Sequence, residues 1–195
     1  MGLSRRSFLA GLAAPAAPPD IRVFHNDGGW CWFEDERVLL LDGKVIGGVV
    51  ASGWREPARQ GQGEVFEYDL ARKSAQWFAL KSPKAAEDPR NALDDHNSPA
   101  VVVRPDGRLV TLYAQHGREE KIYYRISTSP RRGHEWGEER VFIPSPKTRA
   151  TYQNLFYLSS EKRIYDFYRG FDNSFKPSYA WSEDMGETWK PGGVL

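Results

Sequence analysis

The sequence holds a single cysteine, Cys31, so no disulfide can form within the chain and the fold must rest on burial and hydrogen bonding. Charge of one sign is also missing. Lys and Arg number 27 against 26 Asp and Glu, which leaves a net charge of +1. The two signs are interspersed, so there is no patch for a nucleic acid or for a membrane surface. Long apolar runs are absent as well: the stretch from Phe8 to Ala14 falls far short of the ~20 residues that span a bilayer. From Asp20 onward no segment carries a convincing helical period. What the sequence has in excess is aromatic residues, 13% of the total with seven Trp, together with 18 Gly and 13 Pro. That is the profile of many short strands joined by tight turns. At 40% apolar and 27% charged, 195 residues can bury one ordinary globular core and are not a disordered chain.

The first residues read differently. Ser4-Arg5-Arg6-Ser7-Phe8-Leu9 resembles the twin-arginine export signal, and Ala14-Pro15-Ala16 offers a place for a signal peptidase to cut. Residues 1–19 are therefore expected to be an export signal and the mature protein to be periplasmic or secreted, with no membrane contact after cleavage. The twin-arginine route carries proteins that are already folded, which suits a fold without disulfides.

The rest is patterned in repeats. Val38 to Ser52 is two apolar runs around Asp42-Gly43, a pair that supplies the positive backbone angles of a tight hairpin turn. Val101 to Gln115 repeats the arrangement around Pro105-Asp106-Gly107, and Leu155 to Tyr168 repeats it around Ser159-Ser160-Glu161-Lys162. A third strand candidate follows each hairpin. After the last of these, Ser182-Glu183-Asp184-Met185-Gly186-Glu187-Thr188-Trp189 fits S-x-D-x-G-x-x-W, the Asp box. Its carboxylate and hydroxyl bond the amides of their own turn, and its Trp packs between neighbouring sheets. A degenerate copy, Ser129 to Trp136, carries Arg131 in the Asp position. Recurrence of this kind, with four strands per unit, predicts an all-β protein: a β-propeller of four-stranded antiparallel blades. The blades are expected over roughly residues 30–82, 94–145 and 150–195, at the 40–50 residues per blade usual for such repeats. Rings close with about 4 to 8 blades. Three are too few, so further blades are expected from a longer chain or from self-association.

Asp95-His96-Asn97-Ser98-Pro99-Ala100, Tyr152-Gln153-Asn154, Phe167-Tyr168-Arg169-Gly170 and the aromatic-acidic stretch from Asn26 to Arg37 resemble the BNR-repeat propellers that include ulvan lyases and rhamnose–glucuronate lyases. The resemblance covers nearly the whole chain after the signal and implies a seven-bladed ring. It further implies a lyase that cleaves a uronic-acid-containing polysaccharide by β-elimination; no cofactor is expected, and no metal, since no spacing supports a zinc site: Cys31 and His25 lie close in sequence, but two potential ligands are not four. A lyase of this kind needs a cation against the uronate carboxylate, a base for the C5 proton and an acid for the departing C4 oxygen.

Residues suited to these tasks recur at matching places. His96 and His116 stand at the two outer ends of one hairpin, and antiparallel strand ends that face each other open on the same side of a sheet. In the next blade Tyr152 stands before the first hairpin strand and Arg169 after the second. The resemblance gives His96 the role of base or partner of the uronate, Tyr152 that of acid and also of base, Arg169 that of neutraliser, and His116 a supporting role. Asn97 and Tyr168 are the substrate-binding candidates. A glycoside hydrolase of the same fold, such as an exo-rhamnosidase or a sialidase-like enzyme, and a non-catalytic carbohydrate-binding propeller are the alternatives. Each reading takes a polysaccharide or sugar as partner and no nucleic acid. His25 and His134 read as surface residues.

Overall fold

The computed structural model describes residues 21–31, 33–34, 38–81 and 94–195. The twin-arginine-like stretch at 1–19 lies outside them. Three antiparallel sheets follow one another along the chain. In the first, β1 (Gly28–Gly29) and β2 (Val38–Leu41) both pair with β3 (Lys44–Ala51), and β4 (Gly63–Asp69) and β5 (Ser74–Lys81) complete the sheet. Gly28 faces Ala51 while Val38 faces Gly47, so the first strand position is filled in two pieces. The second sheet runs β6 (Ala100–Val103), β7 (Leu109–Ala114), β8 (Ile122–Ile126), β9 (Arg140–Phe142), and the third β10 (Thr151–Leu158), β11 (Arg163–Arg169), β12 (Pro177–Ser182), β13 (Lys190–Val194). Among the described residues the helical elements are single turns, at Pro57–Arg59, Asp95–Asn97 and Phe171–Asn173. No helix among them is long and apolar enough to cross a membrane.

Local chemistry accounts for the hairpins. Asp42 and Gly43 adopt φ of 49° and 73°, and Leu41 pairs directly with Lys44 across a two-residue turn. Strand alternation then divides the side chains of blade two between its neighbours. Val101, Leu109, Tyr113 and Tyr123 pack on Ile46, Val65 and Leu80 of blade one. Val110, Leu112, Ile122 and Tyr124 pack on Ile164, Tyr168 and Ala180 of blade three. Blade two is thus buried on both faces, and each fully enclosed aliphatic contributes about 1.5–3 kcal/mol. These are propeller blades, stacked face to face.

The Asp box closes each interface. Ser182 Oγ donates to Asp184 Oδ1 (2.8 Å) and accepts from the Gly186 amide (2.7 Å), while the Thr188 amide donates to Asp184 Oδ1 (2.8 Å). Trp189 is thereby driven into the core between blades two and three. Trp136 does the same between blades one and two, its Nε1 donating to the Gly133 carbonyl at 3.0 Å. In this degenerate copy Arg131 has no turn amides to hold and reaches instead to Asp42 of blade one, 2.6 Å away.

One expectation is overturned. The His25 side chain is only 4% exposed, with Nε2 at 2.8 Å from Glu64 Oε2. The segment before β1 folds back over the outer face of blade one, where Phe24 meets Tyr68 and His25 meets Phe66 and Trp77. Glu64 also accepts from Arg59 Nε (2.9 Å) and Nη2 (2.7 Å), and Arg59 lies over the Trp77 ring. His134 is also partly covered, 3.3 Å from Glu67. No periodicity marks the 21–27 segment as part of a sheet, because it covers blade one without joining its ladder.

Candidate active site

The register of the hairpins decides where the site forms. Ala100 at the start of β6 pairs with Leu112 near the end of β7, and Thr151 at the start of β10 pairs with Arg169 at the end of β11. The entry of each blade's first strand and the exit of its second therefore lie on one rim. His96 lies in the turn just before β6, and His116 two residues after β7. Their rings stack, with centroids 4.2 Å apart and planes 11° from parallel.

Blade three supplies the other two residues, by a different construction. Tyr152 lies inside β10 and not before it. The pairing jumps from Thr151–Arg169 to Asn154–Phe167, so Tyr152 and Gln153 bulge opposite Tyr168. Tyr152 takes φ of 59°, a left-handed conformation that costs a non-glycine residue about 1–2 kcal/mol. The neighbouring polar residues repair the ladder. The Gln153 amide nitrogen, oriented by the carboxylate it faces, lies 2.6 Å from Asp166 Oδ2, and the Asn154 side chain donates to the carbonyls of Tyr152 (2.8 Å) and Phe167 (3.3 Å). The result is that the Tyr152 ring turns toward the histidines, at 5.2 Å from His96 and 6.0 Å from His116.

Arg169 is the last residue of β11 and is followed by Gly170, whose φ is 115°. A Cβ at Gly170 would come within 2.0 Å of the Arg149 carbonyl oxygen, so the chain can pass there only as glycine. The Arg169 guanidinium lies 4.7 Å over the Tyr152 ring and 5.3 Å from the Phe175 ring, and Nη2 is 3.4 Å from His116 Nε2. Arg169 has no carboxylate partner among the described residues, and its Nε is buried without a hydrogen bond. Three guanidiniums elsewhere in the blades are paired: Arg59 with Glu64, and Arg104 and Arg140 with Glu187.

Asp94, which the sequence reading did not single out, ties the histidines together. Its Oδ1 lies 2.8 Å from His96 Nδ1 and its Oδ2 2.6 Å from His116 Nδ1. Burial is the largest influence on this carboxyl and opposes its ionisation. The hydrogen bond from the His116 ring, the His96 amide and the attraction of the two imidazole N–H groups outweigh it and hold the carboxyl below its usual range. For Tyr152 burial again dominates, and it pushes the phenol up against the opposing effect of Arg169. The only signal in the sequence was the acidic pair Asp94-Asp95 ahead of His96.

The two substrate-binding candidates have structural surroundings. Asn97 accepts from the His116 amide at 2.6 Å and so fixes the loop that carries that ring. Tyr168 is buried between blades two and three, with one side on a cavity of about 280 Å³. That cavity is also lined by Phe33, Tyr152, Arg169 and Phe175. Phe33 reaches across from the segment after β1 to meet Tyr152 at 5.2 Å, so all three blades contribute to the site. Two groups have ligand-type atoms within 4.8 Å of one another, close enough to hold a metal ion: Asp94 with His96 and His116, and Cys31 with Asp95 and His96.

A family model described as BNR repeat-containing family member matches residues 58–192, more than half of the chain. The chain belongs to this BNR-repeat family. No curated protein matches its sequence. Among solved structures, the BNR-repeat chain is similar to a family PL25 ulvan lyase bound to -[GlcA(1-4)Rha3S]-, with a TM-score of 0.67 and 17% identity over 90% of this chain and 41% of that one. It is also similar to the polysaccharide lyase Uly1, with a TM-score of 0.54 and 12% identity over 91% of this chain and 44% of the other. An α-L-arabinofuranosidase from Clostridium thermocellum gives a TM-score of 0.53 at 13% identity, over 81% of this chain and 50% of that one. The BNR-repeat chain thus spans about two fifths of the length of the ulvan lyase. At these identities the likeness shows a shared fold.

Proposed function

We propose that this BNR-repeat chain forms the catalytic rim of a carbohydrate-active propeller, and that the reaction is β-elimination at a uronic acid within a polysaccharide. The observation that carries the reading is Arg169, a partly buried guanidinium with no carboxylate partner among the described residues, beside two imidazoles and a phenol. A uronate carboxylate supplies the missing counter-charge, and pairing with it makes the adjacent C5 proton more acidic. His96, held at Nδ1 by Asp94 and with no hydrogen bond at Nε2 among the described residues, takes that proton. The C5–H electrons form the C4–C5 double bond as the C4–O bond breaks, and Tyr152 protonates the departing oxygen. A phenol whose pKa is raised keeps its proton at neutral pH, which suits the acid and not the base. His116 stands behind Arg169 and steadies it. The proton on His96 returns to Tyr152 through solvent, and the cycle closes.

The lyase likeness supports this reading at the level of the fold that the polysaccharide lyases and this chain share. The remaining blades, from a longer chain or from association, would complete the ring, and the twin-arginine-like start would deliver the protein to where polysaccharide is found. The test is the ultraviolet absorbance of an unsaturated uronate, followed while the full-length protein acts on uronate-containing polysaccharides. New reducing ends without that absorbance would mean hydrolysis and would overturn elimination.

A further inference from the structure

Asp94 is the residue before the Asp95–Asn97 turn, and its side chain is 10% exposed. Its Oδ1 accepts from the His96 amide (3.2 Å) and lies 2.8 Å from His96 Nδ1, while Oδ2 lies 2.6 Å from His116 Nδ1. An ionised carboxylate can only accept hydrogen bonds, and a neutral imidazole carries one N–H. In their neutral forms both rings therefore hold their one proton on Nδ1. We infer that Asp94 is a positioning residue that sets the tautomer of both histidines at once, and so divides their labour in the elimination proposed above, on which this role rests.

The division follows from what each Nε2 then faces. On His116 the Nε2 lone pair accepts from Arg169 Nη2 at 3.4 Å, which links Asp94 to the guanidinium through one imidazole. On His96 the Nε2 lone pair has no donor among the described residues and is available to a substrate proton. The rings stack at 4.2 Å beside the same clamp, in which one carboxylate holds both Nδ1 atoms. Asp95 reinforces it, with Oδ1 2.9 Å from His96 Nδ1.

Asp94→Asn tests the role because an amide cannot do the same job. It has one accepting oxygen and one donating nitrogen, so one ring keeps its proton on Nδ1 and the other must turn a lone pair to Nδ1 and move its proton to Nε2. If that ring is His96, the base is lost. If it is His116, an N–H confronts the Arg169 N–H and the guanidinium is displaced. The measurement is the imidazole nitrogen spectrum of histidine-labelled full-length protein, recorded at a pH where both rings are neutral, with kcat, KM and melting temperature on the same samples.

The expected result has both rings as Nδ1–H in the wild type and one switched to Nε2–H in Asp94→Asn. In turnover, kcat falls by about 100- to 10,000-fold, the scale of a misdirected catalytic histidine, while KM moves by less than a few-fold. Asp94→Glu, which keeps an acceptor-only group, restores the wild-type tautomers. A wild type with either ring as Nε2–H overturns the inference, and so does an Asp94→Asn protein with unchanged tautomers. The tautomers are read without any substrate, so a protein that performs no elimination would sink the lyase reading and leave this test intact.

Discussion

Arg169 and Arg59 are both partly or wholly buried guanidiniums beside an aromatic ring, and they differ in one respect. Arg59 has Glu64, and Arg169 has no acid among the described residues. Removing the buried acid by Glu64→Gln leaves the buried cation with only the exposed Glu56, 3.2 Å away, and should cost about 3 kcal/mol of stability, visible as a lower denaturation midpoint. At Arg169 the expectation is reversed. Arg169→Lys keeps the charge but not the planar fork, so turnover should fall about tenfold or more with little change in melting temperature. Tyr152→Phe should lower it about 100-fold, since the ring packing survives and only the donor is lost. Equal loss of stability in both variants would make these residues structural. At this scale the sequence was legible where a residue type is rare: two of its four histidines mark the site. It was illegible for His25 and Asp94, because an aspartate that clamps imidazoles and one that caps a turn are the same letter, and only the fold brings His116 to it.

The elements show which local rules reach through to the tertiary structure. The Asp42-Gly43 turn and the Asp box were readable because their chemistry is contained within a few residues, where side chains bond their own turn. The bulge at Tyr152 was not, because the sequence Tyr152-Gln153-Asn154 has the composition of an ordinary strand and its bulge depends on Asp166 in the partner strand. Asp166→Ala is therefore expected to act at a distance. It removes the acceptor that holds Gln153 and the Asn154 amide, allows the register to slip, and withdraws the Tyr152 ring from the histidines. The prediction is a loss of activity comparable to Tyr152→Phe together with a clear loss of stability, and normal turnover in Asp166→Ala would contradict it. Gly170→Ala should fail more severely, since the new methyl group meets the Arg149 carbonyl.

Across the whole molecule, several carboxyls are held ionised within the fold. Glu64 and Glu67 are opposed by burial but held below the usual 4.5 by His25 and Arg59 and by Lys44 and Gly133 respectively, and Asp94 below 3.8 by the two imidazoles. Their folded-state pKa values lie under the unfolded ones, so their contribution is complete above about pH 5 and is lost as the pH falls through the folded values. The melting temperature should be level above pH 5 and drop steeply below about pH 4; a level profile down to pH 3 would contradict these pairings. The outer face of blade three carries a ladder of Phe156, Phe167, Tyr165, Tyr179 and Trp181 with no sheet packed on it among the described residues. The isolated 195-residue chain should therefore self-associate, and a monomer in sedimentation at every concentration would argue against exposed blade faces. Three blades and one rim were legible in the repeat, while Asp94, which the fold sets between the two imidazoles there, was not. The account stands or falls on the elimination itself, measured as unsaturated-uronate absorbance when the full-length protein acts on a uronate-bearing polysaccharide. It predicts a steady rise with the wild type that His96→Ala abolishes while the melting temperature is held; a fully active and equally stable His96→Ala protein would contradict it.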